Sequence, residues 1–513
     1  MPAPRHFSIL LLALAACTAR TRRTPDDTLV YVLEQKVLEL DPRYVITNHE
    51  TKISRLVAPA LVSVDQPSLE AKLELAERVE RVDPVTWDVT IRRGPRFSDG
   101  TPLTSRDVVY TFETTLHDRK SPAFHLFDER LRSVEALDEH RVRFHLREPL
   151  ATFVTDLEFG IVSAAATEKT GGHFADGSVV GAGPYRVVEM RPNLVVLERN
   201  RFYDGPAPPL RRLELRTITD TNARLLVLVG GSADAALNGV RLDLLPRLED
   251  KPRLKVSTAP SALLTYLILN NEDPILRDPR VRQAIAYALD RETIVRGRLD
   301  GQARLATGLL PPGHWAYSAD VPTYRHDPAR ARALLDAAGY PPGPDGVRFS
   351  LVYKASSDAT RLAVARDVAQ ALADVGIAVE VLTFDFATVF ADLKRGNYQI
   401  SSLQTGSIAE PDMYFTYFHS SRVPTAANPD AGQNRARYRS DEADRLMEAG
   451  RHELDRDRRK EIYAKLQALM ARDLPVIPLW HEDNVAVLNR DVVGFELLPN
   501  AYLSPLARTS KAR

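Results

Sequence analysis

A single cysteine among 513 residues sets the terms on which this chain can fold. It closes no internal disulfide and builds no paired-cysteine metal knuckle, so order has to come from a buried apolar core. The material for one is present: 44% of residues are hydrophobic and 7% aromatic, a globular rather than a disordered composition. Lys plus Arg total 68 and Asp plus Glu total 68, so no net charge steers the chain to nucleic acid or to an acidic membrane. At roughly 150 residues per domain, the length allows about three domains.

The position of the cysteine says more than its count. Cys17 ends Leu14-Ala15-Ala16-Cys17, and the apolar run Phe7 to Ala16 stands behind Arg5 and His6. The run is too short to cross a bilayer, which takes roughly 20 residues. Its layout is that of a secretory signal peptide spanning 1–16. Small residues directly before a cysteine resemble a bacterial lipobox, in which the thiol is lipidated and becomes the first residue of the mature chain. An ordinary signal peptide with a chance cysteine is the alternative. Residues 17–28 are polar, short and without period, and are expected to be a lipidated flexible tether. The mature protein is then exported to the periplasm or cell surface and anchored to the membrane through Cys17.

Beyond the tether the chain alternates. Leu29–Leu33 suits a buried strand, and a helix is expected around 51–62. Thr86–Ile91 has period two, Asp99-Gly100 is a turn, and Thr104 is placed to cap a helix with Asp107 in its first turn. Residues 134–137 and 141–146 read as paired strands around Asp138-Glu139-His140. A second sheet segment starts at Gly181 and continues through 193–198 and 212–216. Residues 264–270 form another strand. From Asp278 onward, helices alternate with the strands 347–353 and 377–383, which indicates an α/β block with parallel pairs. A long helical hairpin covers 441–472, and Pro475–Trp480 is an extended return.

Catalytic signatures are missing: there is no GxSxG elbow, no HExxH and no Walker A motif. His452-Glu453 and His481-Glu482 lack the further histidine, and the 12 histidines have no ligand spacing. No enzyme, metal or cofactor is expected.

The segment from Thr86 to Tyr110, Thr-Trp-Asp-Val-Thr-Ile-Arg-Arg-Gly-Pro-Arg-Phe-Ser-Asp-Gly-Thr-Pro-Leu-Thr-Ser-Arg-Asp-Val-Val-Tyr, resembles the signature of family 5 extracellular solute-binding proteins. These are the oligopeptide-, dipeptide- and nickel-binding proteins of ABC importers. Gly181–Arg186, Asn200–Tyr203, Asp278–Asp290, Leu310–Gly313, Asp327–Leu335 with Ala338–Tyr340, and Pro475–Trp480 agree in the same order, over roughly residues 29–505. The resemblance implies an α/β, two-lobed periplasmic-binding fold of type II with an additional inserted domain. Lobe I would take 29–66, 175–264 and 482–508, the inserted domain 67–174, and lobe II 265–481. A solute would lie in the cleft between lobes that close about a hinge. The implied partners are a peptide or other small molecule and the permease and ATPase of an importer, with no nucleic acid and a monomeric protein.

The resemblance also points to the segment before a Glu-Pro pair, Ser402 to Phe415, as the place of ligand contacts. Peptide binders resemble Trp-x-x-Asp-x-x-Asp-Pro there, with the first Asp holding the peptide's ammonium. Counting back from Pro411, Gln404 stands in the Trp place, Ser407 in the Asp place, and Glu410 before the proline. A neutral Ser407 supplies no counter-charge to a desolvated ammonium. Either the solute lacks a free amino group, or the register shifts, or Glu410 or Asp412 takes over. Lys36 stands where oligopeptide binders tend to carry an acid, as a partner for a ligand carboxylate or as a solvated lysine. Tyr414, with Phe415, Tyr417 and Phe418, lines the cleft or belongs to the core. Peptide is the leading ligand, followed by a sugar, an opine-like compound or a metal chelate. A sensor or chaperone on the same fold is the alternative function.

Overall fold

The computed structural model describes residues 24–174, 177–406, 408–425 and 432–512, with Asp243 described by its backbone only. The expected signal peptide, Cys17, the first part of the expected tether and Ser407 lie outside these residues. Among the described residues no helix is long and apolar enough to cross a membrane.

The architecture turns on two long antiparallel strands, Leu254–Leu269 and Val476–Asn489. The first half of one pairs with the second half of the other, Leu254 opposite Asn489 and Thr258 opposite Val485. The remaining halves pair Leu264 with His481 and Ile268 with Val476. Between them, from Pro260 to Leu264, the register shifts. Proline offers no N–H to a ladder, so pairing is interrupted at that point and the sheet bends there.

On one side of the bend the sheet continues through Ala235–Leu237, Thr28–Leu33, Arg212–Thr217, Leu194–Arg199 and Tyr185–Arg191. This is lobe I, and Thr28–Leu33 is buried along its whole length because it lies parallel to neighbours on both sides. On the other side the sheet continues through Ile400–Gln404, Phe349–Ser356 and Ile377–Phe384. The last two are parallel, Leu351 opposite Val379, and are joined by the helix Ala359–Ala373. That is the expected βαβ unit of lobe II, packed over Leu351, Tyr353, Val364, Val368 and Ile377. A separate four-stranded sheet, in the order Ala76–Asp83, Thr86–Ile91, Arg141–Leu146, Leu131–Asp138, covers its own core of Val89, Phe97, Phe112 and Phe144. This is the inserted domain, and the mixed α/β, two-lobed architecture with an insertion is the one the sequence implied.

Two expectations are corrected. The first lobe I helix runs from Asn48 to Val57, not 51–62. Thr47 and Glu50 form a capping box that starts it early, and Ala58 precedes Pro59, which disfavours helical backbone. The two crossing strands are far longer than the expected 264–270 and 475–480. Their lobe I halves carry Lys255, Ser257, Thr258, Glu482, Asp483 and Asn484, and this polar content hides the strand pattern.

Glycines fix how the helix Asn48–Val57 is held. A Cβ on Gly181 would lie 2.2 Å from the Val57 carbonyl oxygen, and one on Gly183 would lie 2.4 Å from that of Leu56. No other residue lets the 181–183 backbone approach so closely. Gly183 N–H then donates to Val57 O at 2.8 Å, and the end of the helix is tied to the strand Tyr185–Arg191.

Candidate functional site

The lobe I wall of the cleft is a loop gathered around one carboxylate. Glu50 accepts from the backbone N–H groups of Leu38, Glu39, Ile46 and Thr47 at 2.9–3.2 Å. Burial raises the pKa of this carboxyl, but the donors outweigh it and hold the group below its ordinary range. The loop 34–47 is thereby clamped against the helix that follows. Glu34 meets His49 Nε2 at 3.2 Å, and this bond keeps its carboxyl ionised below the usual range. Lys36 is exposed and has no hydrogen-bond or ion-pair partner among the described residues.

The lobe II wall is the strand Ile400–Gln404 and the segment after it. Gln404 lies opposite Thr265 and donates weakly to its hydroxyl at 3.4 Å, while Thr405 N–H donates to Leu264 O at 2.9 Å. Gly406 then faces lobe I: a Cβ there would stand 3.3 Å from Asn48 Nδ2. The two walls touch at this point. Ser407, the next residue, lies outside the described residues.

The two acids downstream differ: Glu410 is hydrogen-bonded, whereas Asp412 keeps its Oδ1 buried without a hydrogen bond. Glu410 accepts from Arg459 Nη2 at 2.7 Å, and Arg459 Nε donates to Gly450 O at 2.9 Å. Burial pushes the Glu410 carboxyl above its ordinary range, against the pull of Arg459. Trp315 lies under Arg456 and Arg459, with its ring centre 5.3 and 5.4 Å from their guanidinium carbons. Asp412 is 3% exposed and lies 3.5 Å from Arg130 of the inserted domain, which also pairs closely with Asp156. Beside it, Arg422 grips Glu129 through two bonds of 2.8 and 3.1 Å. The segment expected to hold ligand is therefore also the segment on which lobe II meets the inserted domain.

Of the two readings of Tyr414, cleft and core, its burial fits the core of lobe II. It is 2% exposed, stacks with Tyr463 at 6.4 Å, and its hydroxyl accepts from Leu309 N–H at 3.4 Å. Desolvation raises its phenol well above the ordinary pKa. With Tyr266, Phe418 and Met470 it lines a partly open cavity of about 40 Å³ in lobe II. The physical reason is that the helix Met413–Phe418 turns its Tyr414 and Phe418 side chains inward, four residues apart on one face.

Of the expected residues, then, Gln404 and Glu410 share the lobe II wall, Lys36 stands on lobe I, and Asp412 bridges to the insertion. Sequence reasoning missed Glu34, Asn48, His49 and Lys52 on the lobe I wall. The available signal was the Thr47-x-x-Glu50 capping box, which places Asn48, His49 and Lys52 in the first turns of a helix that follows a buried strand.

Comparison with known proteins bears on what such a cleft does. The model of bacterial extracellular solute-binding proteins, family 5 middle, matches residues 70–426. The probable D,D-dipeptide-binding periplasmic protein of Escherichia coli is 27% identical over 510 residues, covering 96% of each chain. The oligopeptide-binding protein AppA of Bacillus subtilis is 27% identical over 485 residues, covering 90% of this chain and 87% of its own. Among solved structures, NikZ from Campylobacter jejuni in complex with Ni(L-His) superposes with a TM-score of 0.82 at 25% identity, covering 95% of this chain and 100% of that one.

Proposed function

The chain belongs to the bacterial extracellular solute-binding proteins of family 5, and from that premise we propose that it captures a peptide-sized solute in the inter-lobe cleft and hands it to the permease of an ABC importer. The observation that carries this reading is the pair of crossing strands, Leu254–Leu269 and Val476–Asn489, whose register shifts between the lobes. Two lobes joined by such a bend close on a solute and reopen without unfolding. The action is binding and release rather than catalysis. Peptide cargo is supported by the D,D-dipeptide- and oligopeptide-binding relatives. The Ni(L-His) complex of NikZ shows that the fold also serves a metal chelate. Lipidation at Cys17, which tethers an exported monomer to the membrane, is supported by the Leu14-Ala-Ala-Cys17 sequence and by the periplasmic setting of the Escherichia coli relative.

The test is native mass spectrometry of the purified protein, followed by scattering and melting with the solute that co-purifies. The expected result is a smaller radius of gyration and a stabilisation of roughly 2.7 kcal/mol at a hundredfold excess over Kd. A tightly bound solute that leaves the scattering unchanged would overturn capture by lobe closure.

A further inference from the structure

On the lobe II wall Glu410 is bound to Arg459, while Asp412 lies 3.5 Å from Arg130 and is 3% exposed. The lobe I wall holds a cation that makes no hydrogen bond and no close ion pair among the described residues. Across the cleft, Lys52 lies one helical turn beyond Asn48 on the same helix face, and Asn48 is the residue that meets Gly406. Around Glu34 stand His49, Arg224 and Lys52. His49 hydrogen-bonds Glu34, and Arg224 donates to the carbonyls of Ile218, Thr219 and Gly239 at 2.6–2.9 Å. Lys52 is half-buried, yet among the described residues it has no hydrogen bond and no ion pair within 4.0 Å.

We propose that Lys52 is the anion-binding residue of the cleft, receiving a carboxylate or phosphate of the captured solute at the point where helix Asn48–Val57 faces the 404–406 backbone. This rests on the reading of solute capture above and adds the chemical class of the cargo: a solute recognised by its negative end. The physical reason is the cost of a partly desolvated ammonium that no carboxylate among the described residues reaches within 4.0 Å, Glu34 acting on it only at longer range. Burial lowers the Lys52 pKa to about 8, with Glu34 pulling the other way. It remains mainly charged at neutral pH, and an entering anion restores what burial removed.

Titration calorimetry of tri-alanine, N-acetyl-tri-alanine, tri-alanine amide and inorganic phosphate against wild type, Lys52→Met and Lys52→Arg tests this. Wild type should bind the two free-acid peptides at least tenfold more tightly than the amide. Lys52→Met should erase that preference, and Lys52→Arg should keep it. Binding by phosphate, lost in Lys52→Met, identifies phosphate as the group. Equal binding of acid and amide by wild type, or an undiminished acid preference in Lys52→Met, overturns the anion site and leaves solute capture standing. Binding of none of the four probes by wild type overturns the anion site, while solute capture falls only if the co-purified solute fails the scattering test above.

Discussion

Glu158 shows what a single buried acid does at the junction of three segments. Its carboxylate accepts from Val64 N–H at 3.0 Å and from Tyr502 hydroxyl at 3.3 Å, joining the inserted domain, the chain leaving the first helix, and the C-terminal tail. Burial raises its pKa to about 7, with Arg55 opposing and Glu74 and Asp65 adding to the rise. A carboxyl whose folded pKa is raised binds its proton more tightly in the folded state. The stability it contributes is complete below about pH 4.5, its ordinary value, and is lost as pH rises through about 7. The span amounts to about 3 kcal/mol at 1.36 kcal/mol per pKa unit. Glu158→Gln keeps an acceptor oxygen for the Val64 N–H, turns its amide NH2 toward the Tyr502 hydroxyl, which can accept, and has no proton to release. Urea denaturation of wild type between pH 4.5 and 8 should show falling stability, and the Gln variant a flatter profile with higher stability at pH 8. Parallel profiles would mean that the carboxyl is solvated.

At the scale of the element, the loop 34–47 and the helix Asn48–Val57 form one unit because Glu50 holds four N–H groups of the loop. Glu50→Ala strands those donors and removes half of the capping box, a loss of about 2–4 kcal/mol from a helix cap and a buried acceptor together. Hydrogen exchange should speed up at Leu38, Glu39, Ile46 and Thr47, while Leu29–Leu33, paired on both edges, stays protected. Uniform exchange across both segments would show that the loop does not depend on Glu50. This unit also marks what the sequence made legible. The hairpin of 131–146, the Thr104 cap and the βαβ unit of lobe II announce themselves by period and turn chemistry, because each is built from neighbours close in sequence, and the strand 29–33 by an unbroken apolar run that is buried throughout. The crossing strands do not, since one edge of each is paired across more than 200 residues of intervening chain and half of each lies in a polar stretch. The surroundings of the segment 402–415 were not legible. Nothing in the local sequence says that Glu410 meets Arg459, that Asp412 meets Arg130, or that Tyr414 turns inward.

For the molecule as a whole, the inserted domain meets lobe II through charged side chains. Two consecutive residues at the end of its helix Phe124–Arg130 reach lobe II, Glu129 to Arg422 and Arg130 to Asp412. Glu148 and Glu70 make further charge contacts with Arg451 and Arg456. Their worth differs. The Glu129–Arg422 pair is 48% and 25% exposed, and an exposed pair contributes about 0–1 kcal/mol. Arg130 and Asp412 are 12% and 4% exposed, and removing one partner of a buried pair costs about 3–5 kcal/mol. In Arg130→Met, both Asp156 and Asp412 lose their cation. Unfolding is not the cheapest relief. Asp412 belongs to lobe II and Asp156 to the inserted domain, so opening the cleft returns both carboxylates to water with each domain intact. Arg130→Met should therefore show a larger radius of gyration without solute, a native-like circular dichroism spectrum, and a weaker apparent affinity that scales with the lost closed fraction. Glu129→Gln should change the radius little and lose its effect in 0.5 M salt, as an exposed pair is screened within a few ångströms there. If Arg130→Met instead melts well below wild type with its scattering profile unchanged, the triad holds domains together rather than governing closure, and the hinge alone sets the open and closed populations.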